Sequence, residues 1–146
     1  MTDYTHFTVT PAIQVLATKS RDSTIPGHVL SQVHQKMGVF LGQHLVGLVG
    51  LEEIEFEHVQ GIRKGPAISI RNHIVILPLM RAGLFAGLGI WDVLPSAAFV
   101  PITPTREKDL SDSEIKGLPS LTEKIVIIAD AVINTPPNFK PLSVLL

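Results

Sequence analysis

His73-Ile74-Val75-Ile76-Leu77-Pro78-Leu79-Met80-Arg81-Ala82-Gly83-Leu84 passes from a near-continuous aliphatic run into a small-residue turn. A run with no polar alternation reads as a strand covered on both faces. The residues from Leu84 to Leu94 have helical composition despite two glycines, and Pro95 closes the segment. A strand that feeds such a turn and then a helix presents backbone amides to an anion, and Arg81 adds charge. A second apolar strand is predicted over Ala97 to Ile102, followed by a polar, charged loop over 103–123. Loops of that length in compact domains are usually functional or disordered. Lys124 to Asp130 reads as a third buried strand that ends in a carboxylate, with the Thr135 hydroxyl five residues beyond. Strand, helix, strand, loop and strand predict a parallel α/β sheet with right-handed crossovers. Ligands of open parallel sheets sit outside the carboxyl ends of the strands, which singles out the Arg81 turn and Asp130.

Working back toward the amino terminus, residues 1–22 read as an extended arm with a short strand at Ile13 to Ala17. Ser23-Thr24-Ile25-Pro26 has the form of a helix start, a hydroxyl cap with proline in the first turn. Val29, Val33, Met37, Leu41 and Leu45, with Leu30, Phe40 and Leu48, then fall at helical spacings and predict one broad apolar face. Gly42, Gly47 and Gly50 are expected to loosen the end of that helix. Glu53 to His58 alternates with period two, as a half-exposed strand does, and Arg63-Lys64-Gly65-Pro66 reads as a turn.

Composition narrows the class. The 146 residues are 45% hydrophobic and 17% charged, with formal net charge −1 and no cysteine. That balance suits one folded domain, in which 1–66 forms the arm, long helix and strand and 67–146 a partial parallel core. Disulfides, thiolate metal sites and thiol nucleophiles are excluded by composition. The lack of a long basic run argues against sequence-independent nucleic-acid binding. The longest apolar stretch, Ile74 to Trp91, is interrupted by Pro78 and Arg81, so no membrane span is expected. Met1-Thr2-Asp3-Tyr4-Thr5-His6 lacks the features of a signal peptide, and a cytoplasmic protein is expected. A mean hydropathy of +0.33 is high for so short a chain, and predicts a partner subunit, as in a homo-oligomer, or incomplete burial.

Several rival signals have plainer readings. The six histidines are scattered without a His-x-x-x-His pair, which disfavours a metal site. Glu52, Glu53, Glu55 and Glu57 suit a solvated strand face better than an acid–base pair. Gly83, Gly87 and Gly89 do not have dinucleotide-loop spacing. Trp91 and Phe99 read as core rather than as base-stacking platforms. An Arg-Ala-Gly turn is more often punctuation, and an aspartate after a strand is more often a helix cap. Arg81 is the exception, since a cation at the end of a buried strand needs a partner.

In their order along the chain, these motifs resemble the uracil phosphoribosyltransferase family of type I phosphoribosyltransferases. The family's Pro-x-x-Arg-Ala-Gly-Leu pattern is matched by Pro78, Arg81, Ala82, Gly83 and Leu84, and its x-Pro-Ser-Ala-x by Leu94-Pro95-Ser96-Ala97. Thr105-Arg106-Glu107 is similar to its flexible loop, and Lys19-Ser20-Arg21-Asp22 to its amino-terminal part. Asp130-Ala131-Val132-Ile133-Asn134-Thr135-Pro136-Pro137 stands where the family has Asp-Pro-Met-Leu-Ala-Thr-Gly-Gly. The resemblance implies a pentosyltransferase of pyrimidine salvage that joins uracil to phosphoribosyl pyrophosphate, giving UMP and pyrophosphate, with Mg²⁺ carried on the pyrophosphate. It implies that Arg81, Ala82 and Gly83 hold pyrophosphate and that Arg106 closes over the leaving group. Asp130 is implied to meet the ribose hydroxyls, and Thr135 the 5′-phosphate.

Two departures shape the expectation. Pro136 and Pro137 each lack an N–H where the family's glycines cradle the phosphate. Two lost charge-assisted donors at roughly 1.5–3 kcal/mol each weaken binding by about 10²–10⁴. The family's late Gly-Asp-Ala-Gly-Asp-like segment, which recognises uracil, has no counterpart before Leu146, so a C-terminally truncated core is expected, with Lys124 to Asp130 at or near a sheet edge. The expectation is therefore a uracil phosphoribosyltransferase-like protein of weak or absent activity. The alternative is a non-catalytic phosphate- or nucleotide-binding or dimerisation module derived from the same fold.

Overall fold

In the computed structural model, which describes residues 10–69, 73–103 and 120–131, the aliphatic run forms the middle strand of a three-stranded parallel sheet. The elements are α1 (Pro11–Ser20), α2 (Gly27–Val49), β1 (Leu51–His58), β2 (Gly61–Ile68), β3 (Ile74–Pro78), α3 (Gly83–Val93), β4 (Ala98–Phe99) and β5 (Ile125–Ala129). The sheet order is β4-β3-β5, so β5 ends the row of described strands. Every residue of β3 is buried. Its side chains alternate between two apolar environments. Ile74 and Ile76 pack with Val49, Ile90, Leu94 and Ala97. Val75 and Leu77 pack with Leu79, Ile102, Val126 and Ile128. Neither face has room for a polar residue, which explains the unbroken aliphatic composition.

Parallel neighbours need a crossover, and α3 supplies the one from β3 to β4. The second predicted strand is shorter than expected: Ala98–Phe99, then a separate bridge between Leu79 and Ile102. The Val100 and Ile102 N–H groups donate to the carbonyls of Ile76 and Pro78 at 2.9 and 3.0 Å. Pro101 falls between them, at a position whose missing N–H would face away from β3. Trp91 is not a core residue. It is 39% exposed, stacks on Phe99 at 5.1 Å, and donates its indole N–H to the Ala97 carbonyl at 3.0 Å.

The amino-terminal half corrects three expectations. Residues 11–20 form a helix, not an extended arm with a strand. Thr10 accepts from the Ile13 N–H at 3.4 Å and Pro11 opens the first turn, the same cap-and-proline signal read fifteen residues later at Thr24–Pro26. There the hydroxyl does not cap α2. Thr24 instead donates its N–H and its hydroxyl to Asp22, at 2.9 and 2.6 Å, and Pro26 precedes the helix with no side-chain cap. These bonds hold the exposed Asp22 carboxyl below its ordinary pKa, with the Thr24 hydroxyl the larger cause. Finally, 63–66 is not a turn. The reversal lies at Val59-Gln60, with Gly61 at φ 108°, and Arg63 to Pro66 pair with Phe56 to Glu53 in an antiparallel ribbon. Pro66 is tolerated there because, by alternation from the Ser69 N–H to Gly50 carbonyl bond, its pair is one that exchanges no ladder hydrogen bonds.

The apolar face of α2 is also rotated from the predicted one. Leu41 and Leu48 are 40% and 63% exposed, whereas Val33, Gly38, Gly42 and Val49 are buried. Glycine decides this, because it lets two helix backbones approach. A Cβ on Gly38 would meet the Ala86 carbonyl oxygen, and one on Gly89 would meet the Gln35 carbonyl oxygen and, at 2.8 Å, the Val39 nitrogen. Gln35 Nε2 donates to Asp92 Oδ2 at 3.0 Å across the same pair of helices. Thus Gly42 does not loosen the helix; it packs near Ile90, while only Gly50, at φ 84°, ends it. No described helix is long and apolar enough to cross a membrane.

Two substitutions test this packing through opposite signs. An alanine in place of an interior helical glycine ordinarily stabilises by about 0.5–1 kcal/mol. Gly47→Ala, with open space around its Cβ position, should raise the melting temperature accordingly. Gly89→Ala should lower stability by about 1–3 kcal/mol, because backbone atoms must move apart. Thermal or urea unfolding of the two variants measures both.

Candidate functional site

The chain leaves β3 at Pro78 and is tied at once to both neighbouring segments. The Leu79 N–H donates to the Ala129 carbonyl and the Met80 N–H to the Ile102 carbonyl, each at 2.8 Å. The Gly83 N–H returns to the Leu79 carbonyl at 2.8 Å and the Leu84 N–H to the Arg81 carbonyl at 3.3 Å, which closes the turn and starts α3. The Met80–Arg81 peptide is cis. Ala82, before the first helical residue, supplies no side-chain cap, so the positive end of α3 faces the turn without an intramolecular acceptor from that residue.

Gly83 sets the distance from this turn to the end of β5. A Cβ there would run into the Ala129 carbonyl oxygen and lie 2.9 Å from the Ala129 carbonyl carbon and 3.1 Å from Asp130 Cα. Without a side chain, the Arg81-Ala82-Gly83 turn abuts the strand end that carries Asp130. Four of the residues singled out in the sequence are thereby brought to the carboxyl ends of the sheet. Arg81 and Ala82 are exposed, Gly83 is buried and Asp130 is half-buried. Arg106 and Thr135 lie outside the described residues, as do Pro136, Pro137 and most of the loop predicted over 103–123.

Arg81 is singled out in the sequence as a cation in need of a partner. Its side chain is at the surface, where water solvates it, and among the described residues the ion pairs are those of Lys64 with Glu53 and Glu55. An exposed guanidinium remains available to an incoming anion. The sequence reading overlooked the backbone anchors, the carbonyls of Ala129 and Ile102. The available signal was the glycine at the strand-to-helix junction, which marks a close backbone approach. A cation and a helix start on one side, with a carboxylate on the other, suit a ligand that is anionic at one end and bears hydroxyls at the other.

A family model for uracil phosphoribosyltransferase matches residues 7–138. No curated protein matches. Among solved structures, that of the AQ2163 protein from Aquifex aeolicus is similar in fold, with a TM-score of 0.67 and 24% sequence identity. The similarity covers 82% of this chain and 58% of that one, so the chain spans little more than half the length of that relative.

Gly83→Ala tests how the site is assembled. The added methyl must push the first turn of α3 away from β5, and a loss of about 1–3 kcal/mol in unfolding free energy is expected. Amide exchange at Leu79, whose N–H bridges to β5, should rise in the same variant. Unchanged protection there would show that the turn does not depend on this contact.

Proposed function

The chain belongs to the uracil phosphoribosyltransferase family, and on that premise we propose that its strand ends bind a phosphorylated ribose for phosphoribosyl transfer. The supporting observation is the Arg81-Ala82-Gly83 turn, held against Asp130 at the carboxyl ends of parallel strands. In this reading Arg81 and the backbone of Ala82 and Gly83 take the pyrophosphate of phosphoribosyl pyrophosphate. Asp130 accepts from the ribose hydroxyls, Arg106 covers the leaving group, and Thr135 meets the 5′-phosphate. The acceptor base is uracil and the product UMP. An oxocarbenium-like transition state asks the protein for positioning and charge stabilisation more than for covalent chemistry.

Mg²⁺ enters this scheme on the substrate. No group of three or more His, Asp or Glu that could hold a metal occurs among the described residues. Asp130 is the carboxylate at the strand ends. In this reading that carboxylate meets the ribose hydroxyls, and Mg²⁺ is held by the substrate's phosphates and by water, ligands it commonly keeps.

A second reading, a non-catalytic binding or dimerisation module, is favoured by Pro136-Pro137 and by the β1–β2 ribbon. The ribbon carries Leu51, Ile54, Phe56, Val59 and Ile62 as exposed apolar residues, with Val59 96% and Ile62 68% exposed. An isolated two-stranded ribbon is marginal in water, so these side chains call for a partner surface. A homo-oligomer that covers the ribbon meets that need under either reading. In light scattering at micromolar concentration, the protein should run as a dimer or larger, and Phe56→Ser with Ile62→Ser should shift it toward monomer. A monodisperse wild-type monomer would sink the oligomer proposal.

The site itself is tested by calorimetry with phosphoribosyl pyrophosphate and Mg²⁺, beside a UMP-formation assay. Arg81→Ala removes a charge-assisted contact and should weaken phosphoribosyl pyrophosphate and free pyrophosphate alike by about 10- to 150-fold. Asp130→Asn should weaken the ribosyl ligand and leave free pyrophosphate nearly unchanged. Lower melting temperatures in both variants, without any ligand binding in the parent, would assign the two residues to structure alone.

A further inference from the structure

The opposite end of the sheet holds a separate feature. At the amino ends of β3, β4 and β5 lies a half-enclosed cavity of about 250 Å³. Ile68, Leu94 and Ala97 are among its apolar lining residues, and Ser69, His73, Ser96 and Lys124 are the polar ones. Its walls are tied by backbone and side-chain bonds. The Ile125 N–H donates to the His73 carbonyl at 2.9 Å, which sets Lys124 beside His73. Across the cavity, Ala97 donates its N–H to the Leu94 carbonyl at 3.0 Å and accepts from the Trp91 indole at 3.0 Å.

Lys124 reaches this wall by a strained route. Its N–H donates to the Leu121 carbonyl at 3.2 Å, closing a turn in which Glu123 has φ 58°. That left-handed conformation is disfavoured for residues with a Cβ, and such strain tends to persist where a functional geometry depends on it. Lys124 is half-buried, and among the described residues its ammonium has no ion-pair partner. The carboxylate of Glu52, on β1, accepts at 3.1 Å from the hydroxyl of Ser69, which also lines the cavity. A lysine with no ion-pair partner among the described residues, lining a cavity with more apolar than polar surface, is matched by an anion with a short apolar body.

We propose that this cavity binds a small organic monoanion, a short-chain carboxylate. Its head pairs with Lys124, with His73 and Ser96 as further hydrogen-bonding groups, and its tail lies on Ile68, Leu94 and Ala97. The site is distinct from the Arg81 turn and does not rest on the reading of that turn. Its chemistry differs as well, because it combines one ammonium with apolar wall where the other end combines a guanidinium, a helix start and a carboxylate.

The test is calorimetric titration of the full chain with butyrate, acetate and butylammonium. Butyrate should bind about five- to tenfold more tightly than acetate, from two further methylenes partly removed from water. Butylammonium should not bind. Lys124→Ala should weaken butyrate at least tenfold, Lys124→Arg should keep most of the affinity, and Arg81→Ala should leave it unchanged. Ser96→Trp at the exposed rim fills the cavity without touching the charge and should also abolish binding, so the test survives a poorly folded Lys124→Ala. Equal binding of butyrate and butylammonium overturns the proposal, as does full butyrate affinity in Ser96→Trp, loss of it in Arg81→Ala, or no butyrate binding by the parent chain.

Discussion

The close approach of α3 to its neighbours is the constraint on which the rest of the structure depends. Gly83 touches the carbonyl end of β5, Gly87 lies against the Pro78 ring with its Cβ position 2.8 Å from Pro78 Cβ, and Gly89 meets the backbone of α2. One helix thus contacts the central strand, the last described strand and the long helix, each through a position without a side chain. A methyl at any of them must displace backbone or a proline ring, which cannot yield as a flexible side-chain tip can. Interior glycines are poor helix formers. Here the packing they permit outweighs their propensity, and α3 forms in spite of its glycines.

That approach also gives the sheet its chemistry. Because Gly83 lies against Ala129, the turn after β3 and the end of β5 form one surface, so that a cation, a helix start and a carboxylate become neighbours. Hydrogen bonds from Leu79 and Met80 to two different segments hold the turn from both sides. The parallel sheet has chemically different ends. Its carboxyl end carries groups suited to phosphate and hydroxyls, and its amino end carries Lys124 on a mostly apolar cavity.

The high mean hydropathy has a structural counterpart in the β1–β2 ribbon. Among the described residues the core is small: Ile90 and Leu94 back one face of the sheet with Val49, and Leu79, Ile102 and Leu121 pack on the other. Much of the remaining apolar surface lies on Leu51, Ile54, Phe56 and Ile62, and on Leu41 and Leu48 of α2. On the ribbon the acidic residues of one strand face Lys64 of the other, in exposed pairs at 3.5 and 3.9 Å that contribute little to stability. The ribbon is therefore held chiefly by its backbone ladder, and its apolar side chains remain available to another surface.

The amino-acid sequence alone determined the parallel α/β class, the strand covered on both faces, the crossover helix and the order of the Arg81 and Asp130 motifs. These are properties of contiguous residues, because burial on both faces imposes an unbroken aliphatic run and a strand end is visible where that run stops. Tertiary structure decided what depends on residues far apart. Thr10-Pro11 and Thr24-Ile25-Pro26 offer the same local signal, and only the first became a capped helix start, because the Thr24 hydroxyl was drawn to Asp22. Arg63 to Pro66 looked like a turn until a partner strand gave it a ladder with a place for proline. The leucines of α2 predicted one buried face, and the glycines of α3 selected another. Whether a glycine loosens a helix or lets it pack depends on what lies within 4 Å of its missing Cβ, a distance set by other segments of the chain.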